Sequence, residues 1–515
     1  MTAARDAFDV RDLLTAEDGA TPRWAKVLDQ TTCIGCHACS TVCKSENLVP
    51  LGVNRTYVKA VEVGTFPQVR RSFQVTRCNQ CEDAPCVAAC PTGAMFRRAD
   101  GIVDFDKAVC IGCKACMAAC PYDAIFINPE DGSAEKCNLC SHRIDAGLEP
   151  ACAVVCPVGA IVVGDLNDPT SRASQLVNRE PVTVRRPEKA TRPKVFYRGA
   201  TQATLDPLAA RRPDGGLFMW SEQPSGPHQV GSGAPDGANS SAAALLAYDV
   251  GHRAPWDWRV SLYTWTKGVA AGAYLVAAAL AATGALAWSD PLWLTAAPLI
   301  ALGMLAVTGA VLIADLEHPA RFPLIFLRPQ WRSWLVRGAA VITAYGGLLA
   351  LHLLARAAGA EGMAKWLAVP GIPLAAATAV YTAYLFAQAK ARDLWQSPLL
   401  PPHMLVQAVL LGAAVLLPFG RAAHALRWTL AVAALAHVLL ALGEVSLTHP
   451  TAHAHLAARH LWRGRYAAPF WAGLALVAVA VAAPWIGAVA VVPALVGVLL
   501  HEHAYVQSGQ AVPLA

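Results

Sequence analysis

The hydrophobic pattern changes character partway along the chain. Beyond residue 254 apolar positions merge into long runs at 262–288, 292–313, 334–354, 366–386, 399–418, 426–447 and 467–500. About 20 consecutive apolar residues suffice for a helix to cross a bilayer, so this half is predicted to be a polytopic membrane bundle. The last run is too long for one crossing. Pro484, near its middle, predicts a tight helical hairpin and eight helices, with both ends of the domain on one face. If Pro484 only kinks one tilted helix there are seven, and the C-terminus crosses over.

Tryptophan placement supports the bilayer reading. Thirteen of the fifteen fall after residue 250, many at predicted helix ends, including Trp265, Trp288, Trp334 and Trp485, as an aromatic belt requires. Small residues fill 277–282 and 475–483, which lets helices approach closely where lipid offers no hydrophobic drive.

Composition then separates the halves further. Hydrophobic residues make up 55% of the 515, yet all sixteen cysteines lie before residue 157, so the averages describe two domains of unlike class. The net charge of +6 matters less than its distribution, because Lys and Arg concentrate in the first half and in some membrane loops. Residues 1–29 carry Asp6, Asp9 and Asp18 and no apolar core; neither a secretory signal nor a twin-arginine leader is expected there.

The cysteines fall into four groups of four: Cys33, Cys36, Cys39, Cys43; Cys78, Cys81, Cys86, Cys90; Cys110, Cys113, Cys116, Cys120; and Cys137, Cys140, Cys152, Cys156. The first and third have the C-x2-C-x2-C-x3-C spacing of bacterial ferredoxins, in which the fourth cysteine ligates the neighbouring cluster. Proline follows the last cysteine of three groups, at Pro91, Pro121 and Pro157, and the repeated Cys-Pro theme reads as an internal duplication. Zinc ribbons use pairs of C-x2-C, and neither they nor disulfides explain a run that occurs twice.

On these motifs the N-terminal part resembles the four-cluster ferredoxin-like subunit of membrane-bound molybdopterin oxidoreductases, the group that includes dimethyl sulfoxide reductase and polysulfide reductase. The resemblance implies four 4Fe-4S clusters. Cys33, Cys36 and Cys39 would take Cys156; Cys137, Cys140 and Cys152 would take Cys43; Cys78, Cys81 and Cys86 would take Cys120; and Cys110, Cys113 and Cys116 would take Cys90. Some relatives carry tryptophan at the position of Cys113 and hold a three-iron cluster. Lys44, Arg77, Lys107, Lys114 and Lys136 stand near ligands in sequence, where positive charge raises a cluster's potential.

The membrane half resembles the polysulfide-reductase-like (NrfD-type) subunit, an eight-helix quinone-binding anchor. The resemblance rests on the segments Asp315 to Phe322, Lys390 to Pro398 and Gly464 to Trp471. Together the two resemblances predict an α+β ferredoxin-like iron-sulfur domain, duplicated, over 1–164, an extended connector over 165–254, and an all-α eight-helix transmembrane bundle over 255–515. The connector's basic stretch, from Arg185 to Arg198, has no accompanying recognition motif, so no nucleic acid is expected; wrapping around a large partner is the better use. No haem is expected, because His352, His403 and His437 offer no pair clearly placed at one depth.

Ionisable residues within a membrane mark an interior cavity or pathway. Lys267, Asp315, Tyr384 and Glu444 are the candidates for the quinone pocket, with Gln388, His403 and His501 at the same predicted helix ends. The expected function is electron transfer and membrane anchoring between a separate large molybdopterin catalytic subunit and the quinone pool. The alternative is a stand-alone conduit fed by a soluble ferredoxin or a cytochrome. On eight spans, ten Lys and Arg lie in loops on the iron-sulfur side and three opposite, placing that domain on the cytoplasmic side of the inner membrane by the positive-inside rule.

Overall fold

The computed structural model describes residues 22–65, 67–211 and 244–515. Two compact units emerge, one comprising the chain to Pro255 with Val512–Ala515 and the other Trp256–Ala511.

Among the described residues the first unit has eleven strands and several short helices. β1 (Trp24–Asp29) pairs parallel with β10 (Val195–Arg198) and antiparallel with β8 (Ile161–Asp165), and β9 (Val182–Thr183) closes the sheet beside β10. β2 (Thr56–Thr65) and β3 (Gln68–Arg77) form a long hairpin, joined on the β2 edge by β11 (Leu245–Tyr248). The duplication is visible as two small hairpins, β4 (Met95–Arg97) with β5 (Val103–Phe105) and β6 (Ile125–Ile127) with β7 (Ala134–Lys136). Each follows a Cys-Pro pair, Cys90-Pro91 or Cys120-Pro121, because proline cannot continue the preceding helical turn.

Much of the expected connector is folded. Residues 165–211 supply a helix (Arg172–Arg179) and β10, whose Val195, Phe196 and Tyr197 are buried. The basic stretch is packed inward: Arg185 donates to the Leu514 carbonyl at 3.0 Å, Arg186 to Pro121 at 3.2 Å and Lys194 to Gly101 at 3.0 Å. Pro- and Arg-rich composition resembles a solvated arm, but here Arg185, Arg186 and Lys194 each find a carbonyl that the fold brings near, and Arg192 and Arg198 find carboxylates. The Gly- and Ser-rich tract at 224–241 lies outside the described residues.

The second unit is helical. Among the described residues seven helices are long and apolar enough to cross a membrane, and an eighth, Ala467–Ala480, is shorter. They are α1 (Trp258–Ala282), α2 (Ala297–Ala314), α3 (Trp334–Ala357), α4 (Ala368–Gln388), α5 (Leu400–Leu416), α6 (Ala423–Ser446), α7 (Ala467–Ala480) and α8 (Val491–Gln510). The helix of the last apolar run ends before Pro484, and α7 and α8 return against each other as a hairpin. Their backbones meet at Gly473 and Gly497, where an added Cβ on either would press on the other's carbonyl. The α1–α5 pair uses the same device, since a Cβ on Gly272 would collide with the Ala408 carbonyl and one on Gly412 with Gly272.

Candidate functional site

The cysteine loops are shaped by left-handed residues at matching positions. In Cys33-Ile-Gly-Cys-His-Ala-Cys, Gly35 has φ 68° and His37 φ 60°; in Cys110-Ile-Gly-Cys-Lys-Ala-Cys, Gly112 has φ 70° and Lys114 φ 62°. Alternating the backbone hand in this way curls each loop into a concavity suited to an anion. A short helix then starts at Ala38 or Ala115 and carries the next cysteine inward.

The fold brings thiols from distant groups together. Cys43, Cys137, Cys140 and Cys152 line one cavity, Cys90, Cys110, Cys113 and Cys116 a second, and Cys78, Cys81, Cys86 and Cys120 a third. Cys33 lies within electrostatic reach of Cys36, Cys39 and Cys156. None of the sixteen is in a disulfide, and most are buried. Burial pushes the Cys43 thiol up to about 12 and the Cys120 thiol up to about 11, so these sulfurs need a cation to ionise.

Cations surround the first of these sets. Lys26 Nζ lies 3.8 Å from Cys137 Sγ and 3.7 Å from Cys152 Sγ, and Arg77 Nη1 donates to Cys152 Sγ at 3.0 Å. Burial would raise the Cys152 thiol, but Lys26 and Arg77 outweigh it and bring it down to about 7. Burial would conversely lower Lys26, and Cys137 and Cys152 hold it above its ordinary value. Arg77 Nε and Nη2 find no acceptor among the described residues. Buried donors aimed at a set of four thiols fit an anionic iron-sulfur cluster, whose own sulfides would accept them.

Among the cations expected near ligands, Arg77 touches a ligand sulfur. Lys44 instead donates to Pro50 O at 3.0 Å, Lys107 pairs with Asp131 at 2.7 Å, and Lys136 reaches Cys137 O at 3.3 Å. Lys26 was not foreseen. The available signal was its place in β1, between Ala25 and Val27: a lysine in a doubly buried strand needs an anionic partner.

In the membrane unit the four pocket candidates do not converge as one group. Lys267 is 1% exposed; its Nζ donates to Ala379 O at 2.7 Å and Thr382 Oγ1 at 2.8 Å. Tyr384 is 42% exposed and stacked on Trp334 at 4.6 Å, and Gln388 holds the start of α3 by accepting from Trp334 N at 2.9 Å. Glu444 accepts from Ser397 Oγ at 2.9 Å. Asp315 ends α2.

Glu502, on α8, is the group that joins these parts and that the sequence reading passed over. It lies beside Thr264 and Gln407 and within electrostatic reach of Lys267. Tyr263 feels both Asp315 and Glu502, and Tyr505 both Glu444 and Glu502. Lys267, Gln407, Thr264 and Glu502 line a small cavity between α1, α4, α5 and α8. Glu502 stands between two histidines in sequence, His501 and His503, and a carboxylate in an apolar span was the signal to follow. His403 and His437, not expected to share a depth, are in direct contact at 2.9 Å.

Residues 69–166 match the 4Fe-4S dicluster domain, and residues 249–512 match the family described as polysulphide reductase, NrfD. The chain belongs to the polysulphide reductase NrfD family. Its iron-sulfur part is similar to the B subunit of tetrathionate reductase from Salmonella typhimurium, 44% identical over 197 residues, 37% of this chain and 77% of the relative. Protein NrfC of Escherichia coli is 43% identical over 177 residues, 34% of this chain and 79% of its own length. The B chain of polysulfide reductase from Wolinella succinogenes is 39% identical over 177 residues, 34% of this chain and 93% of its own. This NrfD-family chain is thus a fusion of an iron-sulfur unit of the 4Fe-4S type with a multi-pass membrane unit, serving electron transfer and membrane anchoring in an oxidoreductase complex.

Proposed function

We propose that this NrfD-family chain carries four 4Fe-4S clusters and moves electrons between a separate molybdopterin catalytic subunit and the quinone pool. The carrying observation is the arrangement of sixteen thiols as four sets of four, each drawn from two sequence groups. The clusters, when bound, supply one-electron steps. The ligand sets are those expected from the resemblance, with Lys26 and Arg77 stabilising the reduced form of the cluster on Cys43, Cys137, Cys140 and Cys152. Similarity to subunits named for tetrathionate and polysulfide reductases supports a catalytic chain as partner.

Reducing a quinone takes two electrons and two protons. The quinone site is proposed at the Lys267–Glu502 cavity, with Asp315 and Glu444 reached through Tyr263 and Tyr505. The Glu502 carboxyl would pass a proton to a quinone oxygen, and the Lys267 ammonium would hold that oxygen's developing charge. The iron-sulfur unit is proposed on the cytoplasmic side of the inner membrane, supported by the ten-to-three loop charge bias.

The test measures iron and quinol oxidation on the full-length protein. About sixteen irons per chain and electron exchange with a quinol analogue are expected; fewer than about ten irons in anaerobic protein would overturn the cluster assignment. For topology, alkaline phosphatase fused after Ala515 should be inactive and a fluorescent protein there bright, and the reverse pattern would overturn the orientation.

A further inference from the structure

The membrane unit also gathers three histidines that the electron-transfer reading does not use. His403 on α5, His437 on α6 and His501 on α8 are 5%, 0% and 3% exposed. One ring nitrogen from each lies within 4.8 Å of the others, and His403 Nε2 is 2.9 Å from His437 Nδ1. Ring centroids are separated by 4.8, 5.2 and 4.6 Å for the 403–437, 403–501 and 437–501 pairs. His437 Nε2 and His501 Nδ1 have no hydrogen-bond partner among the described residues.

Three imidazoles packed this way in an apolar bundle are costly as a purely structural element, since buried polar nitrogens without partners lose their hydration for nothing. A bound ion changes that balance. With metal–nitrogen bonds of about 2.0–2.1 Å, three nitrogens of a tetrahedral ion stand ~3.3 Å apart and their ring centroids ~5 Å apart. The observed centroid spacing already matches; on binding, the close nitrogen pair opens by a few tenths of an ångström and the widest, within 4.8 Å, closes by up to about 1.5 Å as the rings turn onto the ion.

We propose that His403, His437 and His501 form a metal site for a divalent transition ion of the imidazole-preferring class, with zinc as its representative. The ion would tie together α5, α6 and α8. The inference does not rest on the quinone reading, because its readout is metal occupancy and coordination rather than electron exchange.

The experiment uses the full-length protein in detergent, washed with chelator, given zinc chloride and passed through gel filtration. Zinc and iron are counted per chain, and X-ray absorption is recorded at the zinc edge. One zinc per chain is expected, with a first shell of nitrogen at about 2.0 Å and no sulfur at about 2.3 Å. His437→Gln and, separately, His501→Gln should each lower zinc occupancy at least tenfold with iron content unchanged, while His352→Gln, a buried histidine elsewhere in the bundle, should retain zinc. Wild-type protein that retains no zinc, or zinc with a sulfur shell that survives both substitutions, overturns the site; the second result would mean the ion sits among the cysteines.

Discussion

Two lysines, each 1% exposed, show how differently the two units accommodate a buried cation. Lys26 faces the sulfurs of Cys137 and Cys152, so its charge is held by a concentrated anion. Lys267 is met by a carbonyl and a hydroxyl, with Glu502 the carboxylate within electrostatic reach. Dipoles and one acid stabilise an ammonium far less than a cluster of thiolates does. A cation that never gives up its proton tunes a redox potential, whereas a cation balanced against a single acid in an apolar cavity is placed to share one. Under the proposed function, Lys26 would tune a cluster's potential and Lys267 with Glu502 would handle the protons.

The largest expected effect tests the second half of that contrast. Glu502→Gln keeps the shape of the cavity and removes the acid, and should slow electron exchange with a quinol analogue by about 10²-fold or more while leaving the cluster spectra unchanged. A wild-type rate would move the proton step elsewhere.

A third buried cation sharpens the comparison. His252 bonds Asp249 at 3.0 Å and also Asp123. Burial would lower it, but the two carboxylates raise it to about 10. A raised folded-state value means that its stabilisation is complete below about 6.5, the ordinary value, and is lost as pH rises toward 10. Thermal midpoints of the wild type should therefore fall across this window. His252→Gln, which leaves the buried Asp249 and the partly buried Asp123 without their shared cation, should destabilise the iron-sulfur unit by about 3 kcal/mol near neutral pH and flatten that slope. Equal slopes in both proteins would remove His252 as the cause.

A smaller effect tests the first half. Lys26→Met should lower the potential of the cluster on Cys43, Cys137, Cys140 and Cys152 by about 60 mV, a tenfold change in a one-electron equilibrium, with the other three unmoved in a potentiometric titration followed by electron paramagnetic resonance. A uniform shift of all four would point to a general change in the unit. The smallest effect is expected at Tyr384, which is half exposed and stacked on Trp334: Tyr384→Phe keeps the stack and should change quinol exchange by less than about twofold, within the scatter of surface substitutions. A tenfold loss would return the phenol to the pocket.

The cysteine sets were legible because ligand spacing is local and rigid. Two-residue gaps and a following proline write the loop geometry into the chain, and thiols from distant groups, such as Cys43 with Cys137, Cys140 and Cys152, line common cavities. The pocket was less legible. Helix ends could be placed within a few residues, but the direction in which a side chain leaves a helix depends on its rotation. Lys267 therefore turned inward to Thr382 and Glu502, while Tyr384, on the helix that bears Thr382, turned outward to Trp334. His403 and His437 are 34 residues apart and meet at 2.9 Å because α5 and α6 pack side by side, a register that no periodicity in either helix encodes.

By itself the sequence determined the two classes of domain, the sixteen grouped cysteines and the apolar spans, each a property of residues near one another or of composition over a window, while the turn-back of the last run near Pro484 was settled by the fold. The tertiary structure alone decided which cations face the sulfurs, that the residues around Arg185 fold inward, and that Glu502 and three histidines gather between helices. Burial of a charged or polar group is tolerated only where a partner is brought to it, and partners distant in sequence become neighbours only when the chain has folded.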